Sequence, residues 1–258
     1  MSVLFVHCDV RAANLSLVPP GFKEIDLGTA LSLAALREIH TIAGNSELIF
    51  PAYNYDFPIS RKFSPATDAP QVGKFSEFLF SFSMFDRTST PVFSHFHSGL
   101  LGSLESSPFS PASAFGILAE EDGNILLFGT RLKALTFIHH IEHLARIPYR
   151  YEKKFSGKVT IDGGEQDWEV TYHVKPKGLA LNYDREQLLK CLAESQLLCS
   201  PREGVWLIPA QGIRDLILEK LKYDPLWLLD SSSKEVVTRL LDQFGRPLAL
   251  DDFESTTD

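Results

Sequence analysis

The sequence predicts an α/β fold whose central sheet is mixed, largely parallel around its centre, and flanked by helices. Strand-like and helix-like segments alternate from the N-terminus, which is typical of parallel sheets. Two alternating segments around a glycine turn add an antiparallel hairpin near residues 158–175. We predict a single domain over residues 1–250 and an acidic, disordered tail at residues 251–258.

The elements are predicted in chain order from apolar spacing. VLFVH at residues 3–7 is a buried strand, residues 27–44 form a helix that ends at a glycine, and ELIFPAY is the next strand, so the chain opens with a βαβ unit. VFSHFHSGLLG and NILLFG are further strands, and the hairpin is expected at an edge of the sheet. A helix around residues 184–195, the strand VWLIPA, and helices at residues 211–223 and 232–244 follow. The proline-rich loop at residues 51–70 is long enough to line a site.

Composition narrows the classes of function. The formal net charge of -8 argues against broad electrostatic binding to nucleic acid or to an anionic membrane, both of which depend on an excess of lysine and arginine. No apolar run is long enough to span a bilayer or to serve as a signal peptide. The three cysteines show no paired or metal-ligand spacing, which favours a reducing compartment. We therefore expect a cytoplasmic protein that binds small molecules, and the sequence leaves its oligomeric state open.

The run TFIHHIEHLARIPYR places several titratable groups in an apolar segment. On a helix, His139, Glu142 and His143 occupy positions i, i+3 and i+4 and share one face. Such a face can hold a general base and the carboxylate that orients it, or merely structural histidines. The same letters also match H-x-x-E-H, the inverted zinc-peptidase pattern, for which Glu219 is a conceivable third ligand.

A second histidine cluster lies in SHFHSG. His95 and His97 stand two residues apart on a predicted strand and share one face, as metal-binding pairs do, but any strand with a polar face shows this spacing. No neighbouring aspartate or cysteine completes a ligand set, so no metal is expected. No phosphate-binding glycine loop and no G-x-S-x-G motif is present.

Several ordered segments between about residues 2 and 175 resemble the aminoglycoside 3-N-acetyltransferase family. They are FPAYNYDF, FSPATDAPQVGKFSEFLF, RTSTPVFSHFHSGLLG, SPASAFGILAEEDGNILLFG and TFIHHIEHLARIPYRYEKK. The most specific part is T-x-x-H-x-x-E followed by P-Y-R. It is matched by Thr136, His139, Glu142, Pro148, Tyr149 and Arg150.

The resemblance implies an enzyme that transfers an acyl group from acetyl-CoA or another acyl-CoA to the amine of an amino sugar, without a metal. It implies His139 and Glu142 as the catalytic residues. The residues expected to bind substrate or donor are Tyr53, Asp56, Arg87, Ser94, His95, His97, Thr136 and Arg150.

Two segments depart from the family pattern. The chain reads VHCDVRAANL where members carry a serine-rich turn, and its C-terminal part does not resemble the resistance enzymes. We therefore expect a divergent biosynthetic member that acts on a nucleotide-linked or polysaccharide amino sugar. The alternatives are an aminoglycoside acetyltransferase that confers resistance, the zinc peptidase, and a non-catalytic ligand-binding member.

Overall fold

The computed structural model describes residues 2–17, 26–99 and 108–254. Its strands are β1 (Ser2–Cys8), β2 (Glu47–Pro51), β3 (Lys62–Phe63), β4 (Asp86–Arg87), β5 (His95–His97), β6 (Asp122–Phe128), β7 (Tyr151–Ile161), β8 (Gly164–Val174), β9 (Cys199–Arg202) and β10 (Val205–Pro209). Its helices are α1 (Leu27–Ala43), α2 (Phe57–Ser60), α3 (Lys74–Ser81), α4 (Ala114–Glu120), α5 (Ile138–Ala145), α6 (Arg185–Glu194), α7 (Ala210–Tyr223) and α8 (Ser231–Phe244).

The central sheet has seven strands in the order β4-β5-β2-β1-β6-β10-β9. Its three middle strands, β2, β1 and β6, are parallel, whereas β4 and β5 on one side and β10 and β9 on the other add antiparallel pairs. The predicted α/β class, with a mixed sheet that is parallel at its centre, is confirmed. The predicted βαβ opening is β1, α1 and β2, with β2 paired directly to β1.

The predicted hairpin is β7 and β8, which pair along their full length around a turn at residues 162–163. The expectation that it edges the central sheet is wrong, because it pairs with β3 in a separate three-stranded sheet. The physical reason is its apolar face. That face packs on residues of the preceding loop in a small cluster of its own, formed by Phe57, Phe63, Val92, Phe155, Val159, Val170 and Tyr172.

The remaining predicted helices are confirmed, and three short ones, α2, α3 and α4, were not predicted. Asp184 caps α6 by accepting a hydrogen bond from the backbone N–H of Gln187, as an N-cap aspartate does. α7 and α8 lie within a residue of their predicted bounds. α3 and α4 were not predicted because helices of eight and seven residues are too short to show the helical period clearly.

Both faces of the central sheet are buried. Along β1, Val3 and Phe5 face one hydrophobic cluster, shared with α4, α5 and α7, while Leu4 and Val6 face the other, shared with α1 and α3. This alternation explains why the strand reads as a continuous apolar run, since a strand covered on both faces needs no polar side. Ligands of such folds bind beyond the carboxyl ends of the parallel strands, which directs attention to the ends of β1, β2 and β6.

Part of the predicted tail contacts the body of the protein. Asp252 accepts hydrogen bonds from Arg246, and Glu254 forms an ion pair with Lys153 and accepts a hydrogen bond from Tyr151 at 2.9 Å. Residues 255–258 lie outside the described residues. Within the described ranges, no helix has both the length and the apolar character to cross a bilayer.

Candidate active site

The site is organised around α5, which carries two of the family-motif residues on one face. His139 lies in the first turn and Glu142 one turn later, and His139 Nδ1 is 3.0 Å from Glu142 Oε2. This contact follows directly from the i, i+3 spacing on a helix. The predicted pairing of these two side chains is therefore present in the structure.

Glu142 is fully buried, and both of its carboxylate oxygens have partners within the protein. Tyr149 donates to Oε1 at 2.8 Å, Tyr183 donates to Oε2 at 2.8 Å, and Arg150 Nε lies 2.9 Å from Oε2. Burial raises the pKa of Glu142, but the Arg150 charge and the hydrogen bonds from His139 and Tyr183 outweigh it and lower the pKa to about 2. Glu142 is therefore ionised, and its charge acts on His139, Tyr183 and Arg150. Because its side chain is fully buried, the carboxylate does not contact a substrate.

The same contacts determine the protonation of His139. His139 Nδ1 lies 3.0 Å from the Glu142 carboxylate, which only accepts hydrogen bonds, and 3.4 Å from Arg150 Nη2, which only donates. The nearer carboxylate favours the tautomer in which Nδ1 carries the proton and Nε2 keeps its lone pair. Burial, followed by the charge of Arg150, lowers the pKa of His139 despite the opposing carboxylate, which favours the neutral imidazole. Its side chain is 25% exposed. The neutral imidazole is the form a general base requires.

His139 opens into a cleft of about 450 Å³, which we call the wide cleft. Both aromatic and polar side chains line it. Tyr172 contacts Phe93 and Phe155, with ring centroids 5.8 and 5.6 Å apart. The aromatic members of the lining include Tyr55, Phe93, Phe155 and Tyr172, and the polar members include His139, Arg150, His173, Lys175, Tyr183 and Arg185. A cleft of this size accommodates a small molecule.

A second cleft of about 220 Å³, the narrow cleft, lies at the carboxyl ends of β1 and β2. Its polar groups include His7, Tyr53 and Thr136, with the Tyr53 and Thr136 hydroxyls 2.9 Å apart and His7 Nε2 3.5 Å from Thr136 Oγ1. Burial lowers the pKa of His7 to about 3, so this imidazole is neutral. Tyr55 lines both clefts.

The alternative zinc-peptidase pattern is not assembled. His143 pairs with Glu152 at 3.0 Å and stacks on Phe109, and Glu219 is an exposed residue of α7. Both carboxylate oxygens of Glu142 are buried and engaged by side chains of the protein, so Glu142 cannot activate a metal-bound water. Among the described residues, no group of three or more histidine, cysteine, aspartate or glutamate side chains is placed to hold a metal.

Two predicted binding residues, Arg87 and Ser94, direct their polar atoms into the fold, and a third, Asp56, is exposed. Arg87 donates to Ser94 Oγ at 3.1 Å and to backbone carbonyls of the 65–68 loop, and it also stacks on aromatic rings. Ser94 donates to the carbonyl of Ala52 at 2.7 Å and is fully buried. Asp56 is exposed beside α2 and accepts a hydrogen bond from Gln71 at 2.9 Å. In this structure, these groups brace the loops around the clefts.

The two strand histidines occupy different surroundings. His95 is buried among Phe5, Tyr53 and Phe115, with ring centroids 5.3 to 5.4 Å away, and its Nε2 has no partner among the described residues. Burial lowers its pKa to about 3. His97 lies two residues on, and its Nδ1 accepts a hydrogen bond from the backbone N–H of the next glycine. Neither lines one of the two clefts, and their binding roles remain predictions.

Some residues of the site were not predicted from the sequence. Tyr183 lies far from α5 in the chain, yet it contacts Glu142, Arg150 and His139. Its position before the N-cap Asp184 offered no signal. His173 and Lys175 belong to the hairpin, whose alternation could have indicated which side chains face the body of the protein.

Comparison with known proteins identifies the family. The model of the aminoglycoside 3-N-acetyltransferase family matches residues 45–197, more than half of the chain. No curated protein matches.

Solved structures share the fold at low identity. They include an aminoglycoside acetyltransferase AAC(3)-IVa variant in complex with apramycin (21% identity, TM-score 0.59, 88% of this chain and 87% of that chain). They also include AAC-IIIb in a binary complex with CoASH (21% identity, TM-score 0.64, 86% and 90%). A third is the YokD protein from Bacillus subtilis (14% identity, TM-score 0.61, 87% and 92%). On the family match, supported by the shared fold, the chain belongs to the aminoglycoside 3-N-acetyltransferase family and is an acetyltransferase-type enzyme.

Proposed function

We propose that this protein transfers an acetyl group from acetyl-CoA to the amine of an amino sugar, with His139 as the general base. The observation that carries the proposal is the His139–Glu142 contact at 3.0 Å, with His139 in the lining of a cleft, in a chain of this family. Glu142 is a positioning residue, because all its hydrogen bonds are made within the protein.

The chemistry needs a neutral amine. His139 Nε2 removes a proton from the acceptor ammonium group, and the nitrogen lone pair then attacks the thioester carbonyl. The amide carbon–nitrogen bond forms, the carbon–sulfur bond breaks, and the sulfur leaves as a thiol after taking up a proton. General-base assistance of this kind contributes about 10²- to 10⁴-fold.

The two clefts suggest where each substrate binds. The narrow cleft combines an apolar lining with the Thr136 hydroxyl, which suits the slender thioester arm of the donor. Thr136 and Tyr53 are the hydroxyl donors available to a thioester oxygen as it gains charge. The wide cleft has room for a sugar ring beside His139, and Tyr55 lines both clefts. Arg150 holds Glu142 and Tyr183 in place rather than contacting the acceptor.

We further propose a biosynthetic acceptor, nucleotide-linked or within a polysaccharide. The support is that the family match covers residues 45–197, so β1, α1, β10, α7 and α8 lie outside the matched residues. The alternative acceptor is an aminoglycoside, the class acted on by the proteins after which the family is described.

A thiol-release assay with acetyl-CoA tests the proposal. The panel contains aminoglycosides and nucleotide-linked amino sugars, each with and without a chelator. We expect chelator-resistant thiol release with at least one acceptor, and its loss in His139→Ala. His143→Ala is the matched control, because it removes another α5 histidine that lies outside the base pair. Absence of turnover with every acceptor, or full activity in His139→Ala, would contradict the proposal.

A further inference from the structure

We propose that the mouth of the wide cleft binds a phosphate or diphosphate group of the ligand, recognised by Lys175 and Arg185. This inference rests on the proposed function, because it names the class of ligand that enters the same site. The ligand proposed here carries an anionic group, whereas the aminoglycoside acceptors after which the family is described are polycations.

The charges around the cleft carry the argument. Arg150 is neutralised by Glu142 at 2.9 Å, so it adds little field to the cleft. Lys175 and Arg185 are both exposed and line the cleft, and neither has an ion-pair partner among the described residues. The lining contains no aspartate or glutamate within those same residues. The mouth is therefore positively charged although the whole chain is acidic.

The positive charge of Lys175 also acts on His139, the proposed base. This charge adds to the effects of burial and of Arg150 that lower the pKa of His139, which places Lys175 electrostatically beside the base. An ammonium group directed to His139 would meet this repulsion unless the rest of the ligand supplied negative charge. A phosphate bonded to Lys175 and Arg185 supplies it, because both cations form strong charge-assisted hydrogen bonds to phosphate.

The aromatic part of the cleft lining suits the remainder of such a ligand. Phe93, Phe155 and Tyr172 all line the cleft, but of these three only Phe93 is partly exposed, so it is the main contact among them for a sugar face or a nucleobase. The phosphate group can belong to either of two ligands: a phosphorylated or nucleotide-linked amino sugar as acceptor, or acetyl-CoA as donor. Experiments can separate them.

The kinetic test uses the double variant Lys175→Met/Arg185→Met. We expect roughly a tenfold or larger increase in KM for UDP-glucosamine at moderate salt, with kcat much less affected, because charged hydrogen bonds to phosphate are lost while the base is retained. The matched control is Lys177→Met/Lys190→Met, which removes two nearby exposed positive charges that do not line the cleft. This control should keep the wild-type KM.

The two sources are distinguished by the donor. If the phosphates belong to the acceptor, KM for acetyl-CoA stays unchanged in the double variant while KM for UDP-glucosamine rises. If they belong to the donor, KM rises for acetyl-CoA but not for acetyl-pantetheine, which lacks them. Either result supports an anion site at the mouth. Unchanged KM values for both UDP-glucosamine and acetyl-CoA would overturn the proposal.

A binding measurement separates this inference from the proposed function. Titration calorimetry with inorganic pyrophosphate and with UDP needs no turnover. We expect binding to the wild-type protein, weakened about tenfold in the double variant and retained in the control. A protein inactive with every acceptor that still shows this pattern would refute the proposed function alone. Equal affinity in wild type and double variant, or no binding at all, would refute the anion site.

Discussion

Replacing Glu142 by glutamine tests whether the buried carboxylate orients the base. The substitution keeps the shape of the side chain and removes its charge. In one amide orientation the oxygen still accepts from His139 Nδ1, and in the other the amide donates to Nδ1 and moves the imidazole proton to Nε2. The second orientation gives an imidazole that cannot accept the substrate proton.

The structure gives the size of the expected effects. Arg150 Nε lies 2.9 Å from Glu142 Oε2, and the two side chains are 11% and 0% exposed. Breaking such a buried pair by removing one partner costs about 3–5 kcal/mol. Since a domain is stable by about 5–15 kcal/mol, Glu142→Gln should remain folded but lose a large part of its stability. Loss of the orienting charge should lower kcat/KM by roughly 10²- to 10⁴-fold.

Two assays separate these effects. Urea unfolding measures the stability loss, and a second variant, Glu142→Gln/Arg150→Met, should recover part of it because no unpaired charge stays buried. Activity should not recover. The pH profile of kcat/KM is a further readout, because removing the anion lowers the pKa of His139 further and shifts the acidic limb to lower pH.

Three results would refute this reasoning. An unchanged urea midpoint would show that the pair does not stabilise the fold. A wild-type kcat/KM, measured at a temperature where the variant is fully folded, would remove Glu142 as the orienting group. An acidic limb that stays in place would mean that the two groups are not electrostatically coupled.

Three further predictions concern the base, the buried histidines and a close backbone approach. In the wild-type enzyme, kcat/KM should fall on acidification with a midpoint below 6.5, because the pKa of His139 is lowered and only its neutral form accepts a proton; a midpoint above 6.5 would contradict this. Burial lowers the pKa of His7 and His95 to about 3, so the unfolded chain takes up protons first as pH falls, and each histidine should cost about 2 kcal/mol of unfolding free energy between pH 6.5 and pH 5. Urea unfolding at the two pH values measures this, and His95→Phe should reduce the difference by that amount, whereas an equal difference in the variant would refute it. A Cβ on Gly116 would lie 2.2 Å from the carbonyl oxygen of Ser110, so Gly116→Ala should destabilise by about 1–3 kcal/mol. In β8, Gly164→Ala meets its first atom at 3.6 Å and serves as the control, so equal melting temperatures for the two variants would refute the argument.

Local patterns were sufficient for much of the fold. Apolar spacing predicted β1, α1 and β2 and the helices α6, α7 and α8, because each element has enough residues for its period to show. The glycine turn at residues 162–163 predicted the hairpin in the same way. The sheet that the hairpin joins was predicted wrongly, since the partner strand β3 has only two residues and no pattern of its own.

In the site, too, local spacing predicted some contacts and the tertiary structure decided others. The contact between His139 and Glu142 follows from helical spacing alone. The surroundings of Arg87 were decided by the tertiary structure, because the fold surrounds it with backbone carbonyls and aromatic rings, and its predicted binding role stays a prediction. A cationic side chain gives no local indication of whether it will face solvent or the interior.

The sequence by itself determined the helices and strands with clear periods, the shared face of His139 and Glu142, and, through an ordered set of motifs, the family. Only the tertiary structure decided the charge state and accessibility of those groups. Tyr183 and Arg150 reach Glu142 from other elements, and Lys175 and Arg185 line one cleft from a strand end and a helix start. The physical reason is range: hydrogen-bond geometry within a helix depends on neighbours in the chain, whereas burial and electrostatic fields depend on every group that folding brings near.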